Sequence, residues 1–191
     1  MTSRTHDIFA FASLVTVAAN YPPTTLNAAT LVTSSIGSVI GSLLPDIDQS
    51  SNRLWDLLPT GNLVGRIFRK LFLAHRTISH SLLGIYLVSN LLRWLLPGIL
   101  NPNFLNLEII FWSIMIGFIS HIFLDSFTEE GVPLFFPFKL KIGFPPIPSW
   151  RIKTGKGFEK FVIFPGIILY LVWFVANDQR KIFEILKLVV K

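Results

Sequence analysis

Five apolar stretches, most of them closed by proline, constrain this chain more than any other feature. They run from about His6 to Asn20, Leu26 to Leu44, Thr77 to Leu96, Phe104 to Phe127 and Phe158 to Ala176. Tyr21-Pro22-Pro23 closes the first, Pro45 the second and Pro97-Gly98 the third. A proline lacks the backbone donor and its ring collides with the preceding turn, so a helix is expected to stop there. Crossing a bilayer takes about 20 mostly apolar residues. The second, fourth and fifth stretches approach that length, and the first is short. Charged residues make up 15% of the 191, against roughly a quarter in soluble domains. A chain of this size cannot hide so much apolar surface inside itself. The expected fold is therefore all-α: an integral membrane helical bundle with about five membrane helices, forming a single domain over residues 1–191. The tail, 178–191, reads as an amphipathic surface helix, with Ile182, Phe183, Ile185, Leu186 and Val189 opposite Arg180, Lys181, Glu184 and Lys187.

The connections carry their own signals. A polar segment from Asp46 to Arg76 has room for a short amphipathic helix around Leu63–Leu73. A Pro-rich loop, Glu129 to Gly157, contains the apolar run Val132-Pro133-Leu134-Phe135-Phe136-Pro137-Phe138, whose prolines forbid a regular helix and which suits a membrane interface. Gly37-x-x-x-Gly41, with Ser34 and Ser38, marks a small-residue face for close packing inside the monomer. Thr154-Gly155-Lys156-Gly157 lacks the spacing and the preceding strand of a phosphate-binding loop. Arg4, the run Ile8–Ala19 and Val17-Ala18-Ala19 resemble a signal peptide cleaved after Ala19, although Ser13, Thr16 and His6 fit that reading poorly.

Lys and Arg orient the helices. The N-terminal tail has Arg4; 21–25 has none; 45–76 has Arg53, Arg66, Arg69, Lys70 and Arg76; 97–103 has none; 128–157 has Lys139, Lys141, Arg151, Lys153 and Lys156. The alternation puts the basic segments inside, and only the tail breaks it. Every histidine then falls at the cytoplasmic side. His6 starts the first stretch, His75 and His80 start the third, and His121 lies near the inner end of the fourth. Asp46 and Asp48 follow the inner end of the second, and Asp125 shares a helix face with His121 four residues before it. The net charge of +6 fits membrane-flanking cations, and no basic, aromatic-interleaved segment points to nucleic acid.

Seven imidazoles and carboxylates on one membrane face suit a divalent metal, zinc first, with manganese or iron as alternatives. The absence of cysteine excludes thiolate ligands and thiol catalysis. Seven donors exceed the three protein ligands typical of a catalytic zinc, so two ions, or one ion with spare carboxylates, would match. A metal-bound water would be the nucleophile, with Asp46, Asp48 or Asp125 available as a base. Blander readings exist for each residue: interfacial capping for His6, and turn formation for Asp46 and Asp48. Ionisable groups inside a membrane helix, as at His121 and Asp125, are costly and default to function. A metal transporter or sensor, a structural staple between helices, and a soluble helical hydrolase like zinc phospholipase C are the competing readings.

The ordered motifs Thr5-His6, Gly41-Ser42-Leu43-Leu44-Pro45-Asp46-Ile47-Asp48, His75-Arg76-Thr77-Ile78-Ser79-His80-Ser81, Ser120-His121-Ile122-Phe123-Leu124-Asp125 and Gly131 to Phe138 resemble the YdjM-like family of membrane-bound, metal-dependent hydrolases. The likeness covers 5–138, and Thr77 stands where the family has a small glycine. It implies an inner- or plasma-membrane protein with a hydrolase label and no defined substrate. The resulting expectation is a metal centre of His6, Asp46, Asp48, His75, His80, His121 and Asp125 facing the cytoplasm, cleaving an ester or phosphoester of a membrane lipid or small molecule.

Overall fold

A computed structural model describes residues 1–47, 78–138 and 140–190. Its described residues form six α-helices and no strand. They are α1 (Ser3–Asn20), α2 (Ala28–Leu43), α3 (Leu82–Ile99), α4 (Leu107–Asp125), α5 (Phe164–Asn177) and α6 (Gln179–Val190). A π-helical turn, Glu159–Ile163, runs directly into α5. The expected amphipathic helix around Leu63–Leu73 lies outside the described residues. Short polar side chains start three of the helices. Asn27 accepts from the Thr30 amide, Ser81 from Gly84, and Asn106 from both Glu108 and Ile109, each relieving otherwise unpaired first-turn donors.

Among the described residues, three helices, against the expected five or so, are long and apolar enough to cross a membrane: α3, α4 and the continuous segment Glu159–Asn177. In α2 the reason is length, since it has 16 residues. In α1 it is composition, because Arg4, His6 and Asp7 crowd its first turns and Ser13 and Thr16 interrupt the rest. Pro97 did not end its helix either. It sits in the last turn of α3, which continues to Ile99. There the missing amide removes one bond near an end that would fray anyway, and the Leu100 amide restores a closing bond to the Leu96 carbonyl.

The centre of the bundle is α4, against which α1, α2 and α3 all pack. The small-residue stripe of α2 makes the closest approach. A Cβ at Gly41 would strike the Ile114 carbonyl, and one at Gly117 of α4 would strike the Ser38 carbonyl. Lipid tails are as apolar as leucine, so burial alone cannot draw membrane helices together. Close backbone contact and interhelical hydrogen bonds, such as Ser38 Oγ to the Ala10 carbonyl at 3.1 Å, supply the association instead. One face of α4 adds Ile110, Phe111, Ile114 and Met115 to Leu92 and Leu96 of α3. At the far end, Ala19, Leu26, Phe174 and Ile185 join α1, α5 and α6.

The Pro-rich loop is irregular, as its prolines required, with only a 3₁₀ turn at Pro148–Trp150. Isolated bridges Thr128–Ile152 and Val132–Ile142 fold it back beneath the end of α4. Arg151, counted above as a flanking cation, is buried and donates to the carbonyls of Pro145 and Pro146.

Candidate metal centre

Four segments bring polar side chains to the C-terminal end of α4. The first turn of α1 supplies His6, and the turn after α2 supplies Asp46. The 3₁₀ turn Ile78–His80 supplies His80, and the last turn of α4 supplies His121 and Asp125. The i, i+4 spacing of the last two puts both on one helix face. His6, His80, His121 and Asp125 are each at most 2% exposed. Asp46 is the wettest of the five, with its side chain 22% exposed.

Their polar atoms point at one another. His6 Nε2 lies 3.2 Å from Asp125 Oδ1. His80 Nε2 lies 3.6 Å from both Asp46 Oδ1 and Asp125 Oδ2. His121 Nε2 is 3.8 Å from Asp46 Oδ2 and 3.5 Å from Asp125 Oδ2. The rings of His6 and His121 stack with centroids 3.7 Å apart. These separations suit ion pairing, yet among the described residues His6 Nδ1 and Nε2, Asp46 Oδ1 and His121 Nε2 have no hydrogen-bond partner. Burying such atoms unpaired is costly. Two overlapping triads, His6/His121/Asp125 and Asp46/His80/His121, each keep their ligand atoms within 4.8 Å of one another, close enough to hold a metal ion.

His121 decides how those triads relate. Its Nδ1 contacts the Ser42 carbonyl, which can only accept, so Nδ1 carries the proton. In the neutral ring Nε2 is then a bare lone pair, and it faces two carboxylate oxygens. Acceptors converging without hydrogen between them call for a cation. Because Nε2 has one lone pair and Nδ1 is committed to Ser42, the two triads describe one centre among the described residues. The Ser42 carbonyl thus orients the His121 imidazole from its far side, the arrangement that outer partners give a histidine able to take a metal. Burial pushes the His80 imidazole below its ordinary value, which keeps that ring neutral and able to donate a lone pair.

Of the seven residues expected from the sequence, His6, Asp46, His80, His121 and Asp125 converge; Asp48 and His75 lie outside the described residues. Three participants had escaped notice. The Met1 α-amino group, buried, donates to Asp125 Oδ1 at 2.6 Å. The Ser42 carbonyl is a backbone atom with no sequence signature. Glu159 holds the other side of the first turn of α1, and only its charge inside an apolar stretch could have flagged it.

The sequence profile of the YdjM inner membrane proteins matches residues 1–188. The chain belongs to that family. Its relatives include YvsG of Bacillus subtilis (strain 168), 26% identical over 163 residues that cover 85% of this chain and 88% of that protein. Inner membrane protein YdjM of Escherichia coli (strain K12) is 27% identical over 143 residues, covering 71% of this chain and 63% of that protein. The YdjM of Shigella flexneri matches to the same extent. The chain therefore spans less than two thirds of the length of these two YdjM proteins. No solved structure is a significant match. Membership of the YdjM family and three apolar helices together make this a membrane protein.

Proposed function

We propose that the protein is a metal-dependent hydrolase of the membrane, acting on an ester or phosphoester of a lipid. The observation that carries the reading is the convergence of three imidazoles and two carboxylates, in which His6 Nδ1 and Nε2, Asp46 Oδ1 and His121 Nε2 have no hydrogen-bond partner among the described residues. No cysteine is available, so the donor set is wholly nitrogen and oxygen, suited to zinc, with manganese and iron as alternatives. His6, Asp46, His80, His121 and Asp125 would be the ligands, with Asp48 and His75 as further candidates. A divalent ion held there would act as a Lewis acid and bring the pKa of a water to about 7.

The protein's own groups divide the remaining work. Asp46 alone in the cluster reaches solvent, which suits it to accept a proton from an incoming water. Asp125 lies between the Met1 amine and three imidazoles, and holds the histidines in register. The Pro-rich loop docks beside the centre, with the Leu82 amide on the Leu134 carbonyl and the Phe144 amide on the Ser126 carbonyl. It exposes Phe135, Phe138 and Phe144, apolar side chains that suit a membrane interface and favour a lipid substrate. The Lys and Arg pattern favours a cytoplasmic face for the centre.

The test is elemental analysis of detergent-purified protein beside His121→Ala and Asp46→Ala, followed by turnover of defined phospholipids. About one equivalent of zinc, manganese or iron, lost in both variants, with metal-dependent lipid cleavage, is the expected result. Wild-type protein that carries no metal after reloading returns the cluster to a structural role.

A further inference from the structure

The first turn of α1 is held between two carboxylates. On one side Asp125 takes the Met1 amine and the His6 ring. On the other stands Glu159, in the π-helical turn before α5, with 1% of its surface exposed. Its Oε1 accepts from the Thr2 amide at 2.6 Å, from Thr2 Oγ1 at 2.9 Å and from Thr5 Oγ1 at 2.7 Å. Its Oε2 accepts from the Gly155 amide at 2.7 Å. Gly155 has φ +73°, a conformation that favours glycine and that aims its amide at the carboxylate.

Four donors on one buried carboxylate are far more than helix anchoring needs. Such charge-assisted bonds are roughly twice as strong as neutral ones, and an anion satisfied by backbone and hydroxyl donors is fixed in place. Thr5 precedes His6 directly, and Thr2 follows Met1. Every group that α1 sends to Asp125 is therefore one residue away from a group bonded to Glu159. His6 itself has no hydrogen bond among the described residues to set its ring. His121, by contrast, is oriented by Ser42 and His80 by Ser79 Oγ at 3.1 Å.

We propose that Glu159 is the positioning residue for His6. Through Thr2 and Thr5 it sets the rotation and depth of the first turn of α1, and so places the His6 ring against the metal. This rests on the metal reading above. Glu159 touches neither the metal nor the substrate, and it places His6 through the backbone of α1, where Ser42 places His121 by direct contact.

Zinc affinity of the full-length protein in detergent, measured by chelator competition, tests the idea. The variants are Glu159→Gln, Thr5→Val and Thr5→Ser, with Glu108→Gln as the control at the far end of α4. Losing an outer partner of a metal ligand weakens binding by about 10- to 100-fold, and that loss is expected for Glu159→Gln and Thr5→Val. Thr5→Ser retains the hydroxyl and is expected to bind as wild type does, as is Glu108→Gln. Combining His6→Ala with Glu159→Gln should weaken binding no further than His6→Ala alone, because both act through one ligand. The visible spectrum of the cobalt-loaded protein should change in Glu159→Gln and Thr5→Val as one nitrogen ligand is displaced. Should Glu159→Gln fail to fold, Thr5→Val still removes a single bond from the clamp. Wild-type affinity in a folded Glu159→Gln or Thr5→Val, or fully additive losses in the double variant, overturns the positioning role alone. Wild-type protein that takes up neither zinc nor cobalt overturns the metal reading, and this one with it.

Discussion

The helix α4 and the segment Glu159–Asn177 are nearly the same object by composition and very different objects in the fold. Each has 19 residues, and their mean hydropathies are 2.0 and 1.8. Yet 61% of the first is buried inside the protein and 11% of the second. Hydropathy reports transfer out of water, and a bilayer accepts both. The inside position follows from fit. The glycine of α4 at 117 meets the Ser38 carbonyl of α2 directly, whereas Gly166 of α5 has nothing within 4 Å of where a Cβ would stand. Each segment nevertheless brings one carboxylate to the first turn of α1. Asp125 is at the centre itself, and Glu159 is one layer behind it.

Four measurements would break or sharpen that contrast. The largest difference is expected between the two carboxylates. Asp125→Asn should abolish metal retention, since it weakens the contacts to His6, His80 and His121 at once, while Glu159→Gln should only weaken it. Equal loss in both would merge the two roles. Next comes a pair of phenylalanines. Phe118 of α4 is fully buried and Phe161 is 74% exposed. Truncating Phe118 to alanine should cost about 3–5 kcal/mol and Phe161→Ala less than about 0.5 kcal/mol, read from unfolding in detergent. A smaller gap separates the glycines. Gly117→Ala should destabilise by about 1–3 kcal/mol through overpacking, and Gly166→Ala should stabilise slightly, because alanine favours a helix by up to about 1 kcal/mol.

The smallest effect is expected with pH. Burial depresses the His80 pKa below 6.5. As pH falls below that value, the unfolded ring takes up a proton that the folded ring refuses. The metal-free protein should therefore lose stability progressively below about pH 6.5, and His80→Gln should flatten that slope. A stability that is level, or that rises on acidification, would show the ring to be better solvated than its burial implies.

Much of the site was legible before any fold was known, for a simple reason. His6, Asp46, His80, His121 and Asp125 sit at the ends of apolar stretches, and the alternating basic connections gave the expectation that those ends share one side of a bilayer. The i, i+4 spacing of His121 and Asp125 needs only helical periodicity. The small-residue stripe of α2 was readable in the same way, because a glycine and serine face has no other good use in a membrane helix. Three expectations went astray where local rules met a neighbour. Pro97 is absorbed in a last turn, three described helices rather than about five reach the length and hydropathy of a crossing, and Arg151 is spent on loop carbonyls rather than held at a surface.

The amino-acid order by itself determined that the chain is helical, belongs in a membrane and sets His121 and Asp125 on one face at the end of an apolar helix. Those properties depend on hydropathy and periodicity, which are sums over neighbours along the chain. Only the tertiary structure decided which apolar helix lies at the centre, which nitrogen of His121 faces the carboxylates, and that Glu159 and Asp125 bracket the first turn of α1. Each of these depends on which backbone atoms come within about 3 Å of one another. Contacts of that kind join residues more than a hundred positions apart, such as Thr2 and Glu159, and close packing rather than hydropathy selects them.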